Sequence, residues 1–268
     1  MIRLSVFTAL LCFSAVSAAA QTAARRYSLT NAAAQPVVRV LVDDLGRSGR
    51  FRNGTGVLVG RCDVMLTAKH VVAGASFEQL QIYSPQLRGK AVSGLTDISA
   101  QQLRNGDGND PAGFDDDISV VHLAACPTHH YVPLEHITPL QFKHLSHLRS
   151  AGFACDSRHK RAPEIVHFQG KVVPTPFAGG LSRQVRLRPG ARPGQSGAPV
   201  FSVSADGTQR ALHMLLVATV RDNTSPVGCG IDEATGQSAA GHSAFGAVLT
   251  ESFIKALETY VISLGAAQ

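Results

Sequence analysis

The chain has 268 residues, of which 25 are Lys or Arg and 19 are Asp or Glu, so its formal net charge is +6. A hydrophobic fraction of 44% is that of a globular protein, and this length suits two modest domains or one large one. The basic residues are scattered outside clusters at 158–161 and 183–192, and no aromatic interleaving or recognition motif accompanies them. We therefore expect a solvated basic surface and no nucleic-acid partner.

Residues 1–20 have the three regions of a secretory signal peptide. Arg3 precedes an apolar stretch over residues 4–16, and small residues then continue to Ala20. The apolar stretch is too short for a stable bilayer anchor, so we expect cleavage after Ala20. The mature protein is then secreted or periplasmic and has no stable membrane anchor. A retained anchor is the alternative.

The segment 21–35 follows the predicted cleavage site and is rich in small residues. We expect it to be a flexible N-terminal segment or a pro-segment. Within it, Arg25 and Arg26 fit either a processing site or a solvated arginine pair.

The predicted mature chain has four cysteines, at Cys62, Cys126, Cys155 and Cys229. An even number of cysteines in an exported protein favours disulfides over free buried thiols. Four cysteines permit three pairings, and their number alone does not choose among them.

From residue 37 onward, short β-branched runs alternate with turn residues, as expected of an all-β protein with 25 Gly and 13 Pro. The predicted strands of the first half cover residues 37–42, 54–59, 64–70, 79–83 and 90–95 and the run after Asp117. Six strands suffice for one Greek-key barrel. The loop at 105–113 is rich in oxygen ligands, but it lacks the closing glutamate of a calcium-binding loop. We interpret it as a surface loop.

The second half repeats this pattern after a polar connection at about residues 127–148. The predicted strands cover residues 148–155, 165–173, 182–187, 198–203, 213–220 and 243–249, which are enough for a second barrel. Residues 250–261 have the periodicity of an amphipathic helix that Thr250 caps. Its apolar face consists of Phe253, Ile254, Leu257 and Val261.

Three residues in separate motifs have the types that nucleophilic catalysis requires. Ser196 lies between glycines in Gly-Gln-Ser-Gly-Ala-Pro, at 194–199. His70 ends an apolar run, and Asp117 opens another. A serine hydroxyl is a poor nucleophile at neutral pH, so it needs a base and a carboxylate that orients the base. Each residue alone has an ordinary explanation as a turn, a helix cap or a solvated carboxylate, but together they supply the whole set in the order His, Asp, Ser.

Together with the glycine-led hairpin strand at 54–59, these motifs resemble those of the chymotrypsin-like (trypsin-like) serine peptidase family. That family has Thr-Ala-Ala-His, Asp-Ile-Ala-Leu-Leu and Gly-Asp-Ser-Gly-Gly-Pro. This chain departs from the pattern at Lys69, Gln195 and Ala198. With a residue other than Asp before the serine, the motif is more similar to that of the bacterial branch of the family. This branch includes the glutamyl endopeptidases and the periplasmic stress proteases. The likeness covers residues 37–264.

The resemblance implies an all-β fold of two six-stranded Greek-key β-barrels, packed around an active-site cleft, plus a C-terminal α-helix. The implied units are an N-terminal barrel at 36–130, a connector at 131–147 and a C-terminal barrel with the helix at 148–268. In the family, the strands that would carry Cys62 and Cys126 are antiparallel neighbours. This arrangement implies a Cys62–Cys126 disulfide and leaves Cys155 to pair with Cys229.

The resemblance also implies the roles of the site residues. Ser196 is the nucleophile, His70 the general base and acid, and Asp117 the orienting carboxylate. The backbone N–H groups of Gly194 and Ser196 form the oxyanion hole. The residues implied for the specificity pocket are Gly190, Ala191, His213, Ala218, Thr219, Val220 and Arg221. No aspartate stands at the base of this pocket, which argues against selection of Arg or Lys and leaves small or medium apolar and acidic side chains open.

The implied function is that of a secreted serine endopeptidase, which hydrolyses protein or peptide substrates through an acyl-enzyme intermediate. In the animal digestive branch, a new N-terminal amine pairs with the aspartate before the serine. Gln195 has no charge to pair, so we expect that this switch is not used. The alternative is a catalytically inactive member of the same fold that binds protein. An α/β-hydrolase esterase would have its serine before its histidine and alternating helices, which this sequence lacks.

We expect no cofactor and no metal. The adjacent residues His129 and His130, and the pair His144 and His147, have possible ligand spacing. The sequence contains no His-Glu-x-x-His helix and no carboxylate partner at a convincing distance from these histidines.

Overall fold

A computed structural model of the chain defines its fold. It describes residues 35–43, 51–84, 91–98, 117–141, 146, 148–155, 164–172, 184–203, 210–220, 231–232, 237–238 and 243–266. Several predicted features lie outside the described residues: the signal peptide, the segment 21–34, the loop 105–113, the basic cluster 158–161, His144, His147, Arg221 and Cys229.

The first half of the chain forms a closed antiparallel barrel. Its strands are β1 Val37–Asp43, β2 Phe51–Leu58, β3 Val64–Thr67, β4 Leu80–Tyr83, β5 Ala91–Ile98 and β6 Ser119–Leu123. They pair in the order β1-β2-β3-β6-β5-β4, so β3 lies beside β6 rather than beside the next strand in sequence. The register from Val64–His122 to Thr67–Ser119 brings the C-terminal end of β3 next to the start of β6. The segments after β3 and before β6 therefore meet at one rim of the barrel.

The second half forms another closed antiparallel barrel. Its strands are β7 Leu148–Gly152, β8 Glu164–Val172, β9 Gln184–Arg188, β10 Pro199–Val203, β11 Arg210–Val220 and β14 Ser243–Val248, paired in the order β10-β11-β14-β9-β8-β7. Two short strands, β12 Ile231–Asp232 and β13 Gln237–Ser238, pair only with each other. These two barrels and the C-terminal helix confirm the predicted fold class.

Several strands are buried on both faces, which explains their unbroken apolar runs. Side chains of a strand alternate between its faces. Leu58 and Met65 accordingly lie in the core of the first barrel, whereas Val57 and Leu66 belong to a second cluster. This second cluster, which we call the central cluster, also contains Phe201, Leu215 and other residues of the second barrel and the C-terminal helix. The central cluster therefore holds the two barrels together.

The C-terminal helix α2 Glu251–Ala266 completes the central cluster. Phe253, Ile254, Leu257 and Val261 are buried there, as their helical spacing predicts. The N–H of Phe253 donates to Oγ1 of Thr250 at 3.3 Å, so the predicted cap is present. In the part of the chain that the structure describes, no helix has both the length and the apolar character required to cross a bilayer.

A disulfide joins the loop after β2 to the segment after β6. Cys62 and Cys126 are bonded, and their Cα atoms are 4.9 Å apart. This pairing confirms the prediction and agrees with the antiparallel neighbours β3 and β6. Cys155 is also disulfide-bonded. Its predicted partner, Cys229, lies outside the described residues, so that pairing stays a prediction.

Candidate active site

His70 is presented by a one-turn helix that follows β3 directly. This helix, α1 Lys69–Val72, begins after Ala68. Val71 and Val72 are buried in the core of the first barrel and anchor the turn. The imidazole of His70 points away from that core, and its side chain is 47% exposed. The apolar pair thus fixes the backbone, while the polar ring remains accessible.

Asp117 lies immediately before β6 and holds the histidine by both carboxylate oxygens. Its Oδ1 accepts the main-chain N–H of His70 at 2.7 Å, and its Oδ2 contacts Nδ1 of the same residue. Its carbonyl oxygen accepts the N–H of Lys69 at 3.2 Å. A carboxylate only accepts hydrogen bonds, so the proton of a neutral His70 ring lies on Nδ1 and leaves Nε2 as the basic nitrogen. With its side chain only 10% exposed, Asp117 can orient the ring but is poorly accessible itself.

A cation from the first barrel secures the far end of α1. The guanidinium of Arg52, on β2, donates from one nitrogen to the carbonyl oxygens of His70 at 3.3 Å and Ala73 at 2.7 Å. The last carbonyls of a helix lack partners within the helix and carry partial negative charge, so a guanidinium is a suitable donor there. Arg52 therefore restrains the backbone of the histidine.

Ser196 lies on the facing loop of the second barrel, where the two barrels meet backbone to backbone. The N–H of Thr55, on β2, donates to the carbonyl oxygen of Ser196 at 2.8 Å. A Cβ built on Gly54 would lie 2.5 Å from Cγ1 of Val71 and 3.2 Å from the same serine oxygen. The backbone of Ser196 and the side chain of the residue after His70 therefore border the same glycine, and no hydrogen bond joins Ser196 to the His70 ring among the described residues.

We call residues 193–196 the nucleophile loop. All four of its carbonyl groups accept hydrogen bonds, including that of Ser196, which accepts the N–H of Thr55. The oxygen of Pro193 accepts the N–H of Cys155 at 2.8 Å, and that of Gln195 accepts the N–H of Ala198 at 2.9 Å. The oxygen of Gly194 accepts the hydroxyl of Thr55 at 3.1 Å. Gly194 has a φ of +91°, a backbone conformation that glycine adopts readily.

The fixed carbonyls determine where the N–H groups of the nucleophile loop point. In a trans peptide the C=O and the following N–H point in opposite directions, so pinning Pro193 and Gln195 turns the N–H groups of Gly194 and Ser196 away from those partners. Across the residues that the structure describes, neither N–H has a hydrogen-bond acceptor. Two donors without partners beside a serine are what an oxyanion hole requires.

The side chain of Gln195 is buried and closes the loop on itself. Its Oε1 accepts the main-chain N–H of Arg192 at 2.9 Å. The main-chain N–H of Gln195 in turn donates to the carbonyl oxygen of Arg192 at 3.2 Å. A Cβ built on Gly152 would lie 3.2 Å from Cγ of Gln195, so this side chain packs against β7. An uncharged amide therefore shapes the loop here without a charged partner.

The residues suggested for the specificity pocket fall into three groups. Gly190 and Ala191 are buried just before the nucleophile loop. Ala218, Thr219 and Val220 belong to β11 and pair with β14. His213 is fully buried, and both of its ring nitrogens have partners: Nδ1 bonds to the carbonyl oxygen of Thr138 at 2.8 Å and Nε2 to Oγ of Ser202 at 2.7 Å.

The full burial of His213 does not favour its predicted role as a specificity residue, which stays a prediction. Leu212 and Met214 pair with the consecutive residues Phe201 and Val200, so His213 is the extra residue of a β-bulge. Its ring is used within the second barrel and offers no surface to a substrate. A simple alternation of side chains along β11 does not predict this orientation.

No group of three or more His, Cys, Asp or Glu side chains suitable for a metal occurs among the described residues. His129 and His130 are both exposed.

Three functional contacts were missed by sequence reasoning: the Thr55 hydroxyl on Gly194, the Arg52 bonds to α1 and the Gln195 side-chain bond. The Gly-Thr-Gly motif at 54–56 was the available signal for the first, but it was interpreted only as the start of a hairpin strand. Its partner is 139 residues away in sequence.

No protein-family model and no curated protein matches the sequence significantly. The structure is nevertheless similar to solved protease structures. The thermostable serine protease AL20 from an extremophilic microorganism matches with a TM-score of 0.56 at 12% identity, over 86% of this chain and 99% of that one. The protease Anisep from Arthrobacter nicotinovorans matches with a TM-score of 0.57 at 10% identity, over 85% and 96%. The MamO protease domain from Magnetospirillum magneticum, in its apo form, matches with a TM-score of 0.53 at 12% identity, over 86% and 97%. At these identities the comparisons establish that the chain has the two-barrel, trypsin-like fold of these proteases.

Proposed function

We propose that this protein is a serine endopeptidase that hydrolyses peptide bonds in proteins or peptides through an acyl-enzyme intermediate. The single observation that carries the proposal is the pair of partnerless N–H groups at Gly194 and Ser196, on a loop that borders the same glycine as the residue after His70. A binding module with this fold has no need of two unpaired donors next to a serine, because each forgoes a hydrogen bond.

In the first half of the reaction, Oγ of Ser196 attacks the scissile carbonyl carbon while Nε2 of His70 takes the hydroxyl proton. The N–H groups of Gly194 and Ser196 bind the oxyanion of the tetrahedral intermediate. Collapse of that intermediate breaks the C–N bond, and His70 gives its proton to the leaving amine. Asp117 holds the ring in the required tautomer and stabilises the imidazolium.

In the second half, a water molecule loses a proton to His70 and attacks the acyl carbon. The ester bond to Ser196 then breaks, and the serine oxygen regains its proton from His70. Nε2 of the half-exposed His70 ring is available for both proton transfers, because Asp117 engages the other ring nitrogen, Nδ1.

We place this endopeptidase outside the cell or in the periplasm, after cleavage near Ala20. The Cys62–Cys126 disulfide supports an oxidising compartment. The in-loop bond of Gln195 supports a nucleophile loop that forms without a new N-terminal amine, in keeping with the bacterial branch. For the residue before the cleaved bond, the pocket proposed is Gly190 and Ala191 with the 218–221 segment of the chain.

A peptide-library cleavage profile of the mature protein tests this function. We expect turnover that Ser196→Ala lowers at least about 10⁴-fold, because the nucleophile is lost while binding remains. Ser263→Ala, on the exposed side of α2, is the matched serine control and keeps wild-type turnover. A cooperatively folded protein that cleaves no peptide, or turnover that survives Ser196→Ala, contradicts the proposal.

A further inference from the structure

Thr55 on β2 is a buried polar residue with bonds to two separate parts of the second barrel. Its hydroxyl donates to the oxygen of Gly194 at 3.1 Å and accepts the N–H of Phe153 at 2.9 Å. Its N–H donates to the oxygen of Ser196 at 2.8 Å. The side chain is fully buried, so water does not compete for these bonds.

Thr55 is itself held within the first barrel. Its carbonyl oxygen accepts the hydroxyl of Thr67 at 2.7 Å. Thr67 ends β3, three residues before His70. A Cβ built on Gly197 would lie only 2.0 Å from that same carbonyl oxygen, so the backbone segments of the two barrels touch there without an intervening side chain. The backbone of Thr55 is therefore fixed from both sides, and its hydroxyl has a fixed direction.

The two acceptors of Thr55 alternate with the two free donors of the nucleophile loop. Thr55 binds the carbonyls of Gly194 and Ser196, and the same two residues carry the partnerless N–H groups. Rotation of the peptide between Gly194 and Gln195 would break the hydroxyl bond and also the bond from the Gln195 N–H to the oxygen of Arg192, and would so disturb the two neighbouring peptides that carry the free donors. The bond to Phe153 also ties this hydroxyl to the segment that pins Pro193 through Cys155.

We propose that Thr55 is a positioning residue, whose hydroxyl fixes the nucleophile loop in the conformation that directs the Gly194 and Ser196 N–H groups at the substrate oxyanion. This inference rests on the proposed peptidase function and adds a requirement to it. The first barrel supplies the histidine and the aspartate, and through Thr55 it also completes the oxyanion hole on the second barrel. A displacement of about 1 Å at a reacting group can reduce a rate by about 10²-fold, so loss of this hydroxyl has a kinetic consequence.

The test compares Thr55→Val, which keeps the side-chain shape but removes the hydroxyl, with Thr55→Ser, which keeps the hydroxyl. Thr128→Val is the matched control, since Thr128 is another buried threonine and its hydroxyl accepts the N–H of His130 at 3.2 Å. The measurements are kcat and KM for one library peptide, the rate of phosphonylation by a fluorophosphonate, and the melting temperature.

For Thr55→Val we expect kcat and the phosphonylation rate to fall about 10- to 100-fold, with KM within about twofold of wild type, because the hydroxyl acts on the transition state. Thr55→Ser restores kcat to within about threefold of wild type, and Thr128→Val lowers the melting temperature without changing kcat. If Thr55→Val does not fold, Thr55→Ala against Thr55→Ser gives the same contrast of the hydroxyl.

Two results overturn the inference while leaving the peptidase function intact. One is a folded, active wild type with Thr55→Val at full kcat. The other is a loss of kcat that Thr55→Ser shares. A folded wild type that neither cleaves peptides nor reacts with the fluorophosphonate refutes the proposed function, and with it the inference.

Discussion

Gly197 allows a close backbone approach between the two barrels, and replacing it with alanine tests that approach. Its φ is +85°, and a Cβ there would lie 2.0 Å from the oxygen of Thr55, 2.5 Å from Oγ1 of Thr67 and 2.8 Å from the nitrogen of Ala68. Two of these three neighbours are backbone atoms, so the added methyl group cannot be accommodated by a change of rotamer alone.

The expected destabilisation has two parts. Alanine in the left-handed region costs about 1–2 kcal/mol relative to glycine. Forcing a methyl group into a filled space typically costs about 1–3 kcal/mol more. We therefore expect Gly197→Ala to lower the free energy of unfolding by about 2–5 kcal/mol, a large part of the stability of an ordinary domain.

Gly74→Ala is the matched control, because Gly74 has a φ of +69° and a Cβ there would have no atom within 4 Å. It carries the backbone penalty without the clash. The loss of unfolded-chain entropy is the same for both variants and cancels in the comparison.

Denaturant unfolding of both variants measures the difference, which we expect to be about 1–3 kcal/mol. If Gly197→Ala does not fold while Gly74→Ala does, the result is a lower limit in the same direction. Equal free energies of unfolding for the two variants would refute the backbone-to-backbone contact between the barrels.

Four further substitutions test three separate parts of the structure. Phe253→Ala removes a helix side chain that is only 1% exposed and should lower the free energy of unfolding by about 3–5 kcal/mol. Ile262→Ala, on the same helix but 68% exposed, should change it by no more than about 0.5 kcal/mol, and equal effects would refute the assigned helix face. The hydrogen bonds from Arg61 hold the pKa of the Asp63 carboxyl below its ordinary value of 3.8, so this group stabilises the fold above that pH and ceases to do so as the pH falls through the lowered pKa. Asp63→Asn should therefore reduce stability by at most about 1 kcal/mol at pH 7, and its difference from wild type should shrink in acid; a difference that grows in acid would contradict the assignment. Gln195→Ala removes a buried side chain that accepts the part-buried N–H of Arg192, and it should cost about 1–3 kcal/mol in denaturant unfolding together with a lower kcat. Unchanged values for both would show that the side chain does not shape the loop.

Local patterns were sufficient to predict most of the fold. The period of two in β1 and the period of the helical face around Leu257 both reflect burial of one side of an element, which the order of residues records directly. The short strands β12 and β13 were not predicted, because two residues are too few to show a period.

The site was predictable where it depends on residue type and not where it depends on distant contacts. His70 and Asp117 were identified from motifs, and the structure brings them into contact. The Thr55–Gly194 bond joins residues of the two barrels, and no local pattern records such a contact. The burial of His213 has no local sequence signal, because a bulge in β11 interrupts the alternation of side chains.

The central claim is that Ser196 is an activated nucleophile, and a fluorophosphonate label tests it most directly. Intact-mass measurement of the folded mature protein should show one label per molecule, and peptide mapping should place it on Ser196. Labelling should be absent in Ser196→Ala and weaker in His70→Ala, because the proton acceptor is lost. Failure of the folded wild type to react, or a label attached to another residue, would contradict the account.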